Sequence, residues 1–274
     1  MTNVDAARRA VTDGYLAAVG LERVDPSLEF LSALTRCHVG EFAFSSIGPR
    51  LGDQLPIDLD SLFDRIVVRR RGGYCFEHNG LLFEVLTDLG FAPRLQMARV
   101  VLGRDIHPGL THRVARVVLD GREFVVDVGF GPMGPPHPVP MAAGAARDEL
   151  LRAGYRIHST TGGVHELQHV VDGSWFTLYR FDDVTYGQAD AEVGHFYSHL
   201  HPEAVFVNNL VASRILDDEV RSLRNHDYWV IRDAGTTSER IAGAERLHVL
   251  LTQELGLQVT VEESERLFAA LPPA

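Results

Sequence analysis

Hydrophobic residues recur with a helical period in the first third of the chain. A period of about 3.6 residues predicts amphipathic helices, and glycine, proline and aspartate mark their ends. The helices predicted in this way are Val4–Leu21, a helix that opens at Asp25-Pro26 and runs towards His38, Ser61–Arg70 with Asp60 as its N-cap, and Cys75–Leu89 before Gly90. Residues 1–90 are therefore predicted to form a helical domain.

The middle of the chain changes to the two-residue alternation that is typical of strands. Valine-rich strands are predicted at 94–102, 111–119 and 122–130. The dipeptides Asp120-Gly121 and Asp172-Gly173 predict two tight hairpins, because both residue types tolerate the turn that joins paired strands. A strand-rich second domain is thus predicted at 91–190.

Helical patterns return in the last third of the chain. The predicted helices are 196–216, 245–255 and 261–271. A Thr260–Glu263 capping box opens the last of them. The pattern predicts an α+β fold whose third domain covers residues 191–274.

Cys75 stands directly after the glycine turn Gly72-Gly73 and opens a predicted helix. The unpaired N–H groups and the positive dipole end of a helix start favour a thiolate over a thiol. The other interpretation is an ordinary buried cysteine, since free cysteine is among the most buried residue types.

The first hairpin places a histidine and a carboxylate on one face. With a two-residue loop at Asp120-Gly121, Val114 lies opposite Asp127, and His112 shares the face of Val114. Taken alone, His112 could be a structural strand histidine and Asp127 could bind a backbone N–H. Together with Cys75 at a helix start, they predict a cysteine–histidine–aspartate triad.

Composition and charge exclude several classes of protein. The net charge of -11 over 274 residues argues against a nucleic-acid binder or an anionic-membrane binder. The chain has no lysine, which excludes a Schiff-base lysine and a Walker A lysine. Only two cysteines and no signal-peptide pattern indicate a cytoplasmic location. His195 and His199 lack the neighbouring glutamate of zinc proteases, so no metal site is expected.

Three segments resemble the signature segments of the arylamine N-acetyltransferases: Arg71–Glu77, Thr111–Arg113 and Asp127–Gly131. The resemblance implies a helical N-terminal domain, a central β-barrel and a C-terminal α/β lid around a cysteine-protease-like core. It also implies that Cys75, His112 and Asp127 pass an acetyl group from acetyl-CoA to an arylamine, arylhydrazine or hydrazide. Acetyl-CoA would be a co-substrate, and no tightly bound cofactor is implied.

The same resemblance assigns residues around the thiol. Near the coenzyme it implies Thr111 and Gly131, and around the acceptor it implies Phe44, Met97, Phe130 and Phe206.

One segment departs from the family pattern. Where the family reads Pro-Phe-Glu-Asn, this chain reads Ala43–Ser46, so the acidic partner of Arg71 is missing at Ser45. Glu41 or Glu77 is expected to pair with Arg71 instead.

Two other activities are compatible with the same residues. One is an amide synthase of the same fold that closes a polyketide chain delivered by a carrier protein. The other is a cysteine hydrolase or transglutaminase-like enzyme with the same triad. Consumption of acetyl-CoA with and without an arylamine separates the three.

Overall fold

The computed structural model describes residues 3–142, 146–148 and 153–273, which form helices and two antiparallel sheets. The α-helices of these ranges are α1 (Asn3–Val19), α2 (Leu28–Glu41), α3 (Ile47–Leu51), α4 (Leu59–Phe63), α5 (Cys75–Asp88), α6 (Gln188–Leu200), α7 (Val205–Asn208), α8 (Ala244–Val249) and α9 (Val261–Ala269). Turns of π-helix extend α4 over Asp64–Val68 and α8 over Leu250–Glu254. None of the described helices is long and apolar enough to cross a membrane.

The strands fall into two groups along the chain. They are β1 (Phe44–Ser45), β2 (Arg94–Val100), β3 (His112–Leu119), β4 (Arg122–Val126), β5 (Val139–Pro140), β6 (Ala146–Asp148), β7 (Ala153–Ser159), β8 (His165–Val171), β9 (Ser174–Phe181), β10 (Val211–Ile215), β11 (Val220–Arg224), β12 (Asp227–Arg232) and β13 (Gly235–Arg240). β2 to β9 make one sheet, and β1 joins β10 to β13 in the other.

The first helices begin where a side chain caps them. Ser27 Oγ accepts a hydrogen bond from the Phe30 amide at 3.1 Å and starts α2, so the predicted start at Asp25-Pro26 is wrong by two residues. Asp58, not Asp60, caps α4 by accepting from the Ser61 amide at 3.0 Å. In both cases a neighbouring residue of equal capping ability makes the bond.

The eight-stranded sheet curls into a barrel-like body in the order β5-β4-β3-β2-β9-β8-β7-β6. Asp120 and Gly121 both have positive φ, as a type I′ turn requires, and they join β3 to β4 in the predicted register, with Ala115 opposite Val126. Asp172 and Gly173 turn in the same way between β8 and β9. Both predicted hairpins are confirmed.

The last third of the chain contains a sheet that the periodicity did not reveal. α6 ends at Leu200, before Pro202, which cannot donate an amide hydrogen bond. The prediction of one helix over 196–216 is therefore wrong after α7. Val211–Ile215 is strand β10, which pairs on one side with β1 and on the other with β11. β1 comes from the helical first third, so this sheet crosses the predicted boundary near residue 90.

A buried chain of hydrogen bonds ties three segments of the helical part together. Tyr15 Oη lies 3.0 Å from His38 Nδ1, His38 Nε2 lies 2.7 Å from His78 Nδ1, and His78 Nε2 lies 3.2 Å from the Ala43 oxygen. A carbonyl oxygen can only accept, so His78 Nε2 carries a proton and donates it. His78 Nδ1 therefore accepts from His38 Nε2, and His38 Nδ1 accepts from the Tyr15 hydroxyl. Burial lowers the pKa of His38 and, as the main cause, lowers that of His78 to about 4.

These buried histidines predict a loss of stability in acid. Below the ordinary histidine pKa of about 6.5 the unfolded chain binds protons that neutral His38 and His78 do not, so the free energy of unfolding falls with pH down to about 4. Urea unfolding at pH 7, 6 and 5 measures the slope. We expect a shallower slope in His78→Gln than in wild type. The exposed control His107→Gln should keep the wild-type slope, and equal slopes in all three proteins would contradict the assignment.

Candidate active site

Asp127 lies at the centre of a buried hydrogen-bond network just beyond the end of β4. One carboxylate oxygen, Oδ2, is 2.7 Å from His112 Nε2. The other, Oδ1, accepts from Asn79 Nδ2 at 2.8 Å and from the Gly129 amide at 3.0 Å. Burial raises the pKa of Asp127, but the charge and hydrogen bond of His112 and the bonds from Asn79 and Gly129 lower it overall. The group is therefore a carboxylate with a donor for each oxygen.

Asn79 is a site residue that the sequence did not single out. It lies on α5 one turn after Cys75, so both side chains project from one face of the helix. Besides holding Asp127, its Nδ2 donates to the Arg113 oxygen at 2.6 Å, and its Oδ1 accepts from the Val128 amide at 2.9 Å. The available signal in the sequence was an asparagine four residues after Cys75, on the same face of the predicted helix.

The environment of His112 favours the imidazolium. Burial lowers the pKa of His112, but the charge and hydrogen bond of Asp127 and the hydrogen bond and charge of Cys75 raise it to about 10. Because Nε2 faces Asp127, Nδ1 is the nitrogen left for the Cys75 thiol. Tyr179 packs on the imidazole with ring centroids 4.9 Å apart, and its buried hydroxyl lies near Asp127 outside hydrogen-bonding geometry.

Cys75 is the first residue of α5, and only 3% of it is exposed. Its Sγ is 3.6 Å from the backbone oxygen of Thr111, which places Thr111 beside the thiol. Gly129 packs against the backbone of Cys75, since a Cβ at that position would lie 2.7 Å from the Cys75 Cα. The glycine after Val128 thus lets the β4 end approach the helix start closely.

The residues assigned to the acceptor pocket belong to two groups of contacts near the triad. Phe44, Met97 and Phe206 belong to one apolar cluster with Cys75, while Phe130 packs edge-on against His112 with ring centroids 5.2 Å apart. Phe44 and Phe206 are 5.7 Å apart between centroids. Met97 is fully buried.

Gly131 lies near this cluster rather than apart from it. Its φ of 86° is in the left-handed region. A Cβ there would lie 3.7 Å from the Phe44 ring and 3.6 Å from Ser213 Oγ. The segment that follows Asp127 therefore lies against the ring of Phe44.

His195 supports the residue next to the nucleophile. Tyr74 Oη lies 2.6 Å from His195 Nδ1, and His195 Nε2 lies 2.7 Å from the Leu55 oxygen. Since that carbonyl accepts, Nε2 carries the proton and Nδ1 accepts from the Tyr74 hydroxyl. His199 Nδ1 lies 2.7 Å from the His195 oxygen. Both ring nitrogens of His195 are thus occupied by protein groups.

The expected partners of Arg71 are wrong. Glu41 is bound to Arg70, and the buried Glu77 is bound to Arg65. Arg71 instead makes two hydrogen bonds, of 2.7 and 2.8 Å, to Glu263 in the first turn of α9. The prediction considered only acidic residues nearer in the sequence, whereas Arg71 and Glu263 are 192 positions apart.

Comparison with known proteins places this arrangement in a family. The N-acetyltransferase family model matches residues 27–264. The arylamine N-acetyltransferases of Mycobacterium tuberculosis and Mycolicibacterium smegmatis are 37% and 34% identical, over 86% and 90% of this chain and 84% and 91% of those chains. The structure of Mycobacterium marinum arylamine N-acetyltransferase in complex with CoA superimposes with a TM-score of 0.88 at 32% identity, covering 95% of this chain and 99% of that one. The chain belongs to the arylamine N-acetyltransferase family.

Removal of the Asp127 charge should lower the pKa of His112. In Asp127→Asn the effect of burial remains and the two largest effects that oppose it are lost, so the pKa of His112 should fall from about 10, although the hydrogen bond and charge of Cys75 still raise it. NMR titration of ¹³C-labelled histidine measures this. The matched control is Asp120→Asn, at the exposed tip of the same hairpin, which should titrate as wild type. A His112 pKa that stays near the wild-type value of about 10 in Asp127→Asn would contradict the assignment.

Proposed function

We propose that this chain transfers an acetyl group from acetyl-CoA through a Cys75 thioester to an arylamine, arylhydrazine or hydrazide. The observation that carries the proposal is the network of Cys75, His112 and Asp127 at the junction of α5 and the β3–β4 hairpin. Membership in the arylamine N-acetyltransferase family supports the acceptor class. The CoA bound to the Mycobacterium marinum relative supports the donor.

The first half-reaction forms the acyl-enzyme. His112 holds the proton of the Cys75 thiol as an imidazolium, and the sulfur attacks the thioester carbonyl carbon. The Tyr74 and Glu77 N–H groups at the start of α5 are bonded to Glu77 Oε2 and to the Tyr74 carbonyl oxygen, which leaves the Cys75 and Phe76 N–H groups to bind the oxyanion. When the carbon–sulfur bond of the donor breaks, the imidazolium gives its proton to the leaving CoA sulfur. The products are free CoA and S-acetyl-Cys75.

The second half-reaction transfers the acetyl group to the amine. His112 is now neutral and can take a proton from the attacking nitrogen. The tetrahedral intermediate collapses with loss of the Cys75 sulfur, which restores the starting pair. Asp127 holds the imidazole in one orientation through both steps, because its bond to Nε2 leaves only Nδ1 towards the sulfur.

The residues around the thiol divide between donor and acceptor. We assign Thr111 and Gly131 to the coenzyme side, and Phe44, Phe130 and Phe206 to the acceptor. Aromatic walls favour flat acceptors that stack and arrive as the neutral amine. Met97 would act from behind this wall, since it is fully buried.

The two other activities are less well supported. An amide synthase or a hydrolase would use the same triad, but the family match extends over residues 27–264 and the relatives named above are acetyltransferases. The described part of the chain contains no cluster of ligating side chains that could hold a metal ion.

Acetyl-CoA without amine should leave one acetyl group on Cys75. The reason is that the covalent intermediate forms before an acceptor is needed. Intact-protein mass spectrometry followed by peptide mapping after a brief incubation measures it. Cys75→Ser should carry no adduct, and Cys37→Ser should behave as wild type. An adduct on Cys37, or no adduct in a wild-type sample that turns over, would contradict the covalent route.

Phe130→Ala should impair the amine step more than the acyl step. Loss of the ring removes a stacking surface for the acceptor, whereas Cys75 and Asp127 keep their contacts. Separate measurement of Cys75 acetylation and of aminolysis by an arylamine should show a loss of about tenfold in aminolysis and a smaller loss in acetylation. An equal loss in both steps would indicate damage to the β4 end and would remove Phe130 from the pocket.

A further inference from the structure

Helix α9 is bound to the nucleophile loop, residues 69–74, which leads into α5 and Cys75. Glu263 Oε2 accepts from Arg71 Nη1 at 2.7 Å, and Oε1 accepts from Nη2 at 2.8 Å. A bidentate arginine–carboxylate pair fixes direction as well as distance. The pair is only partly exposed, with 17% of the Arg71 side chain and 24% of the Glu263 side chain open to solvent. Because Arg71 precedes Cys75 by four residues, one end of the nucleophile loop is fastened to α9.

Further contacts join the same two segments. Arg71 Nη1 also donates to the backbone oxygen of Gln258 at 2.9 Å. The backbone N–H of Gln258 in turn donates to the backbone oxygen of Arg70 at 2.9 Å. Leu257 packs against Gly72, where a Cβ would lie 2.9 Å from the leucine methyl. Gly72 has a φ of 66°. Any residue other than glycine would be strained at position 72. The segment before α9 packs against the loop at this position.

Ser45 borders the cavity in which Arg71 and Glu263 meet. The Ser45 amide donates to the Gly73 oxygen at 2.6 Å, so residue 45 is next to the loop, and its short side chain accepts from the Ile47 amide at 3.1 Å. Ser45, Arg71 and Glu263 line one cavity of about 450 Å³. A longer acidic side chain at position 45 would enter the cavity that Arg71 faces. With serine there, Glu263 supplies both oxygens.

We propose that Glu263 is a positioning residue for Cys75. Through Arg71 it holds the loop in the conformation that presents the sulfur and the first-turn N–H groups of α5 to the thioester. The catalytic part of this inference rests on the proposed function, whereas the ordering of the loop does not. Loss of the Arg71–Glu263 pair should slow acylation without weakening the binding of acetyl-CoA.

The variant Glu263→Gln removes the charge and spares the helix cap. Glu263 Oε2 accepts from the Thr260 amide at 2.9 Å as part of the capping box, and glutamine serves that role as well. The matched control is Glu262→Gln, the exposed neighbour with the same change of charge. The rescue variant is Ser45→Glu in the Glu263→Gln background, which returns a carboxylate to the shared cavity.

The test combines two readouts on wild type and the three variants. Hydrogen exchange of the peptide that contains Arg71 to Tyr74 reports loop order without reference to any reaction. Single-turnover acetylation of Cys75 over a range of acetyl-CoA concentrations reports the rate constant and the half-saturation. We expect Glu263→Gln to exchange faster and to acetylate about tenfold more slowly at saturation, with unchanged half-saturation. Glu262→Gln should match wild type, and the rescue variant should recover at least half of the lost rate.

Several results would overturn the proposal. One is that Glu263→Gln shows the same hydrogen exchange and the same rate of Cys75 acetylation as wild type. Another is that the rescue variant acetylates Cys75 no faster than Glu263→Gln, while Glu262→Gln and Glu263→Gln lose equal amounts of thermal stability. This combination indicates general destabilisation. If wild type itself forms no acetyl-Cys75, the proposed function fails, and the exchange readout alone still decides whether Glu263 orders the loop.

Discussion

The buried carboxylate of Asp127 is the interaction on which the rest of the site depends. A charge inside an apolar sheet end requires donors for its oxygens, and here they come from three directions. Asn79 binds it from α5, His112 from β3, and the Gly129 amide from its own strand end. Satisfying one group thus docks the helical part of the chain against the barrel-like sheet. The same docking brings Cys75, at the start of α5, to the imidazole.

The parts of this arrangement that are local could be predicted from the sequence. A two-residue Asp120-Gly121 turn allows one register, and strand alternation then puts His112 and Asp127 on one face without further information. The start of α5 at Cys75 follows from the glycine turn before it and the apolar period after it. The family signatures lie in these local segments, which is why the resemblance and the geometry agree.

Contacts between distant segments could not be predicted in this way. Glu41 and Glu77 are nearer to Arg71 in the sequence than Glu263 is, yet each is bound to another arginine, and only tertiary packing brings Glu263 within reach. The strand Val211–Ile215 has an apolar pattern that also fits a helix, and its pairing with β1 decides the outcome. Asn79 was missed for the same reason, because its role exists only when Asp127 is beside it.

A double-mutant cycle on Cys75 acetylation tests most directly whether Asn79 and Asp127 act as one unit. The single-turnover rate constant is measured in wild type, Asn79→Ala, Asp127→Asn and the double variant under one set of conditions. If Asn79 acts through the carboxylate, the double variant should acetylate about as slowly as Asp127→Asn alone, because contacting residues are not additive. Losses that multiply independently would contradict the account, since Asn79 and Asp127 would then contribute separately to the chemistry.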